Sequence, residues 1–285
     1  MCDELTEQEN DRYLTRREFG RMAAAITAAA MLPPVANAMA VVEQDVMIET
    51  PDGMADAYFV HPASGKHPAV LVWTDVLALR PAFREMGKRL AQSGYSVLTP
   101  NPYYRSQKAP VVEPGASFRD AETRERVLPM ARSLTAETMV TDGLTFIDYL
   151  DAHASVDTSR GIGTTGYCMG GPFTMRTAAA RPDRVKAGAS FHGSRVVQDS
   201  EDSPHHVIPQ MKAQYLFAIA ENDDERNPDE KVVLREAFDA AGLKAEIEVY
   251  EGAMHGWCAL DSRVYNQAQA ERAWGRLLAL FDEAL

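Results

Sequence analysis

The chain has 285 residues, 46% of them hydrophobic and 25% charged, with a formal charge of −12. These are ordinary globular proportions, with enough apolar material for one large core, and one folded domain is expected. The acidic balance excludes a nucleic acid or an anionic membrane surface as partner, because a polyanion would be repelled.

Residues 1–40 read as a leader ahead of the folded domain. Thr15-Arg16-Arg17-Glu18-Phe19-Gly20-Arg21 precedes a mildly apolar run from Met22 to Leu32, and small-residue sites follow at Ala36-Asn37-Ala38 and Ala38-Met39-Ala40. Charged, apolar and small-residue regions in that order define a signal peptide, and the paired arginines resemble the twin-arginine type. Cleavage after Ala38 or Ala40, a periplasmic or exported destination and contact with the export machinery are expected. The apolar run is too short and alanine-rich for a stable membrane span. Losing the leader removes four arginines and six carboxylates, so the mature chain, residues 41–285, would still carry −10. Cys2 leaves with it, which retains Cys168 and Cys258.

The domain opens with strands at Asp45–Glu49 and Met54–Val60 around Pro51-Asp52-Gly53, a hairpin turn sequence. Ala69–Trp73 is continuously apolar, as a strand buried on both faces of a parallel sheet must be. Strands and helices then alternate: helix Phe83–Gln92, strand Tyr95–Leu98, helix Ala136–Ala152, strand Gly161–Thr165, helix Met169–Ala180. Later strands are expected at Ala187–Phe191, Gln214–Ile219 and Ala245–Tyr250, with helices at about 229–241 and 264–284. This order predicts an α/β fold with a doubly wound, mostly parallel sheet and helices on both faces. Active sites in such sheets lie at the carboxyl ends of the strands. Residues 101–134 break the alternation and read as a long surface excursion, either a substrate wall or a solvated connection.

Gly166-Tyr167-Cys168-Met169-Gly170-Gly171 stands where a strand turns into a helix. The spacing glycine, any residue, nucleophile, any residue, glycine suits a sharp turn whose neighbours cannot carry side chains. The adjoining helix start favours a thiolate and a developing oxyanion. Gly252-Ala253-Met254-His255-Gly256-Trp257 follows the last strand, so His255 holds the position of the general base; His153, His192, His205 and His206 fall elsewhere in that order. His192 ends a strand near the site and reads as structural. The acid must lie between nucleophile and base, and Ala220-Glu221-Asn222-Asp223-Asp224 offers Asp223, with Asp224 as the rival and a helix-capping duty open to either.

These three segments, in this order and spacing, resemble the dienelactone hydrolase family over roughly residues 45–284. The resemblance implies an α/β-hydrolase fold, a Cys-Asp-His triad, neither metal nor organic cofactor, and hydrolysis of small lactones or esters; a monomer is expected. It implies an oxyanion hole from the amides of Val76 and Met169. It also implies a glutamate beside the resting thiol, for which this chain has Asp75, one methylene shorter. Of two family arginines that bind a substrate carboxylate, the first corresponds to Arg105; the second falls near Ala259, where no arginine stands, and Arg263 lies a turn further on. Two other readings stay open: a non-catalytic redox or binding protein using Cys168 and Cys258, and an acyltransferase on the same triad.

Overall fold

The computed structural model describes residues 4–18 and 32–285. Helix α1 (Glu4–Glu18) comes first. The domain then runs β1 (Val41–Thr50), β2 (Gly53–Pro62), β3 (Ala69–Trp73), α2 (Pro81–Gln92), β4 (Ser96–Pro100), α3 (Ala121–Arg132), α4 (Ala136–Ala152), β5 (Ile162–Tyr167) and α5 (Gly170–Ala180). It continues with β6 (Val185–Phe191), β7 (Gln214–Ala220), α6 (Glu221–Arg226), α7 (Glu230–Ala241), β8 (Ala245–Tyr250) and α8 (Gln267–Ala284). The eight strands form one sheet in the order β1-β2-β4-β3-β5-β6-β7-β8. Antiparallel pairing joins β1 to β2 and β2 to β4, while every pair from β4 through β8 is parallel.

Period-two alternation sends successive side chains of a strand to opposite faces. On β3, Leu71 and Trp73 enter the core that Phe146 and Ile147 of α4, Phe173 of α5 and Phe238 of α7 complete. Val70 and Val72 enter the other, completed by Phe83 and Leu90 of α2 and Leu277 and Phe281 of α8. The same division repeats on β7, with Tyr215 and Phe217 on one face and Leu216 and Ala218 on the other. A strand buried on both sides has no polar alternation, which is why these strands are legible as apolar runs.

One expectation needs adjusting. The 101–134 excursion contains α3, which its composition hides: Glu122, Arg124, Glu125, Arg126 and Arg132 make it polar on most sides, and Pro129 lies inside it. Val127, Met130 and Ala131 of α3 pack with Phe118, Tyr103, Val111 and Val76, so the excursion carries its own small core against the loop after β3. Helix α1 falls inside the segment read as a leader, and it is seated on the carboxyl end of the sheet, with Thr6 and Asn10 buried. The apolar run from Met22 lies outside the described residues apart from Leu32. Among the described residues no helix is long and apolar enough to cross a membrane.

Candidate active site

The turn between β5 and α5 fixes Cys168. Its φ is +52°, a left-handed conformation that side chains rarely adopt, and the flanking glycines make it possible. A Cβ on Gly166 would lie 2.1 Å from the Gly170 carbonyl oxygen, and one on Gly170 would lie 2.6 Å from the Trp73 oxygen. No other residue fits either place. The Cys168 sulfur is 3.7 Å from Ser194 Oγ, and the Ser194 amide donates to the Cys168 carbonyl at 2.9 Å. Ser194 was not apparent from the sequence; it comes from the loop after β6, with no motif to flag it.

Asp223, at the start of α6 after β7, and His255, after β8, meet directly: His255 Nδ1 lies 2.6 Å from Asp223 Oδ2. Asn222 supports the pair by accepting from the His255 amide at 2.8 Å. Asp224 faces elsewhere and holds Lys231 Nζ at 2.5 Å. Burial opposes a charged imidazole on His255, but the Asp223 carboxylate and then the Cys168 sulfur outweigh it and hold its pKa up to about 10. His192, read as structural, lines the same cleft as Cys168 and His255. Its ring centroid lies 5.0 Å from that of His255 and 5.0 Å from that of Trp257. Burial, together with the neighbouring His255, drives its pKa down to about 3, so it is a neutral wall of the cleft.

Val76 also lines the cleft, and Met169 stands at the start of α5. Among the described residues the Val76 and Met169 amides donate to no acceptor, while the Val76 carbonyl accepts from Tyr103 Oη at 3.0 Å.

Asp75 lines the cleft but is taken up by Arg80, which donates to both of its carboxylate oxygens at 2.6 and 2.8 Å. The same guanidinium grips Asp261 at 2.7 and 2.9 Å. Burial raises the Asp75 pKa, while Arg80 pulls the other way. Arg80 was not anticipated, because its role depends on bringing the start of α2 against the loop after His255. Arg105 is not brought to the cleft. It donates to the buried Asp142 at 2.7 and 2.8 Å and to Asp52 at 2.6 and 2.9 Å, clasping the β1–β2 turn to α4. Its guanidinium is therefore consumed inside the fold, and the sequence correspondence could not reveal that Asp142 faces it. Arg263 does border the cleft, where it pairs with Asp11 at 2.7 Å and Glu7 at 3.4 Å of α1.

Cys258 sits apart, buried against Tyr167 and Phe191 in a separate apolar pocket, and burial raises its thiol pKa. Neither it nor Cys168 is in a disulfide. Among the described residues no group of three His, Cys, Asp or Glu side chains is placed to hold a metal ion.

Comparison with known proteins bears on this arrangement. A protein from Salmonella typhi named "Putative carboxymethylenebutenolidase" is 29% identical over 257 residues, covering 82% of this chain and 90% of its own. The carboxymethylenebutenolidase of Rhodococcus opacus is 26% identical over 233 residues, with 80% and 86% covered. Among solved structures, one titled as a "Putative Dienelactone Hydrolase" from Klebsiella pneumoniae superposes with a TM-score of 0.72 at 25% identity, over 86% of this chain and 99% of that one. The model of the dienelactone hydrolase family matches residues 55–285, and the chain belongs to that family.

Proposed function

We propose that this protein hydrolyses small ester or lactone bonds through an acyl-thioester on Cys168. The observation that carries the reading is the 2.6 Å contact between Asp223 and a buried His255, in one cleft with a cysteine held at positive φ on a strand-to-helix turn. The relatives named as carboxymethylenebutenolidases supply the bond type.

In this reading His255 Nε2 takes the Cys168 thiol proton, the thiolate attacks the carbonyl carbon, and the carbonyl oxygen takes the negative charge. The Val76 and Met169 amides receive it; a preorganised donor of this kind lowers the barrier by about 3 kcal/mol. As the tetrahedral intermediate collapses, His255 Nε2 gives its proton to the departing alkoxide and the thioester forms. His255, now neutral, takes a proton from water, the hydroxide adds to the thioester carbon, and the second collapse releases the acid and restores the thiolate. Asp223 fixes the imidazole orientation and stabilises its charged form. The test combines a panel of short p-nitrophenyl esters and lactones with mass spectrometry of quenched enzyme. A substrate-dependent mass increase on the peptide holding Cys168 is expected, and turnover with no acyl adduct on any cysteine under rapid quench would overturn the thioester route.

Export is the second part of the reading, and Arg16-Arg17 with the small-residue sites at Ala38 and Ala40 supports it. Replacing both arginines by lysine should leave the precursor unprocessed in the cytoplasm, as an immunoblot of fractionated cells would show. Normal processing of that variant would remove the twin-arginine assignment.

A further inference from the structure

A cavity of about 670 Å³ opens beside the triad, with His255 and Asp223 in its wall. Its cationic lining comes from four arginines on three elements: Arg124 and Arg132 of α3, Arg195 of the loop after β6, and Arg226 of α6. Asp223 and Glu230 are the carboxyls that face them. Asp223 is engaged by His255, and burial together with Asp223 pushes Glu230 up to about 8, so Glu230 is largely uncharged at neutral pH. Four guanidinium groups gather positive charge around one cavity of a chain whose formal charge is −12, and a concave wall focuses that local field.

The arginines differ in how they are occupied. Neither Arg132 nor Arg195 has an ion pair or a side-chain hydrogen bond among the described residues, and both are exposed. Arg226 is engaged: its Nη1 lies 4.0 Å from Asp223 Oδ1, and a carboxylate from outside the α/β domain, Glu9 of α1, accepts from Arg226 Nη2 and from Asn222 Nδ2, the latter at 2.9 Å. Thr6 of the same helix accepts from Arg226 Nη1 at 3.1 Å and also lines the cavity. A carboxylate from α1 thus already sits at the rim, next to the residue that supports His255. Planar guanidinium groups match carboxylate and phosphate oxygens in paired, charge-assisted hydrogen bonds.

We propose that this cavity is a binding site for the multiply charged anionic part of a substrate, a group of several carboxylates or a phosphate, and that Glu9 holds the place of one of its oxygens while α1 is seated. The site is distinct from Arg105, which Asp52 and Asp142 consume. Calling the ligand a substrate rests on the hydrolase reading; the binding itself does not.

Calorimetric titration of the full chain with citrate, inorganic phosphate and acetate tests it, using the wild type, Glu9→Gln and the double variant Arg132→Ala/Arg195→Ala. A thermal melt confirms that each variant is folded, and substitution at two exposed arginines leaves the cores untouched. Citrate or phosphate should bind the wild type at least fivefold more weakly than Glu9→Gln and at least tenfold more tightly than the double variant, with no measurable heat from acetate. The tighter of the two polyanions tells whether carboxylates or a phosphoryl group is preferred. Equal affinity in the double variant, or no heat from either polyanion with both the wild type and Glu9→Gln, overturns the proposal. Anion binding alongside full esterase activity in Cys168→Ala would sink the cysteine mechanism and leave this site standing. The converse, an active cysteine enzyme with no anion binding, would sink the site alone.

Discussion

Replacing Cys168 with alanine should lower kcat for any ester or lactone the protein turns over by on the order of 10⁵- to 10⁶-fold, the scale on which loss of a triad nucleophile is felt. Everything else in the cleft survives the change: the Asp223–His255 contact, the amides of Val76 and Met169, and the Ser194 amide that binds the Cys168 backbone carbonyl, which alanine also supplies. Stability should move by only about 1 kcal/mol, because one buried sulfur is removed and alanine must still occupy a left-handed position. A steady-state assay with a melting curve on the same preparation separates the two effects. Equal rates in wild type and Cys168→Ala, with both folded, would remove the nucleophile from Cys168.

The acid gives the second large effect. Asp223→Asn keeps the shape of the side chain but loses the charge that favours a protonated His255, and the corresponding loss in a serine triad is about 10⁴-fold in kcat. Asp224→Asn should cost little, since its carboxylate pairs with Lys231 of α7 rather than with His255. The opposite ranking would transfer the role to Asp224. A stability readout accompanies the rate. The folded pKa of His255 lies above its ordinary value of 6.5, so its pairing with Asp223 stabilises the fold fully below about pH 6.5 and loses that contribution as the pH rises toward 10. The melting difference between wild type and Asp223→Asn should therefore be large at pH 6.5 and shrink by pH 10.

Cys168, Asp223 and His255 are legible in the chain because each follows a strand whose apolar run marks it, and because the elbow glycines are demanded locally by a sharp turn. The same locality explains the accuracy for β3 and α4, whose ends match the expected residues. What escaped depends on contacts between distant segments. Arg80 and Asp261 are 181 residues apart, and nothing near either announces the other. Arg105 matches its family position by sequence, yet the buried Asp142, 37 residues on, claims it. Helix α3 is hidden by its charges, since it covers a small satellite core and needs only a narrow apolar stripe. The seat of α1 on the cleft could not be read at all: its residues read as part of a leader, and only the fold places Arg226 and Arg263 opposite its acidic side chains.

The Arg80 clasp reaches beyond local charge balance. One guanidinium spans Asp75, one residue before the Val76 amide, and Asp261, in the loop that follows His255. It works as a tie rod between the two sides of the cleft, and its length sets how far apart Val76 and His255 can drift. Lysine could reach one carboxylate but not span both, so the two loops would move independently and the cleft would lose its fixed width without losing a single group that touches the substrate.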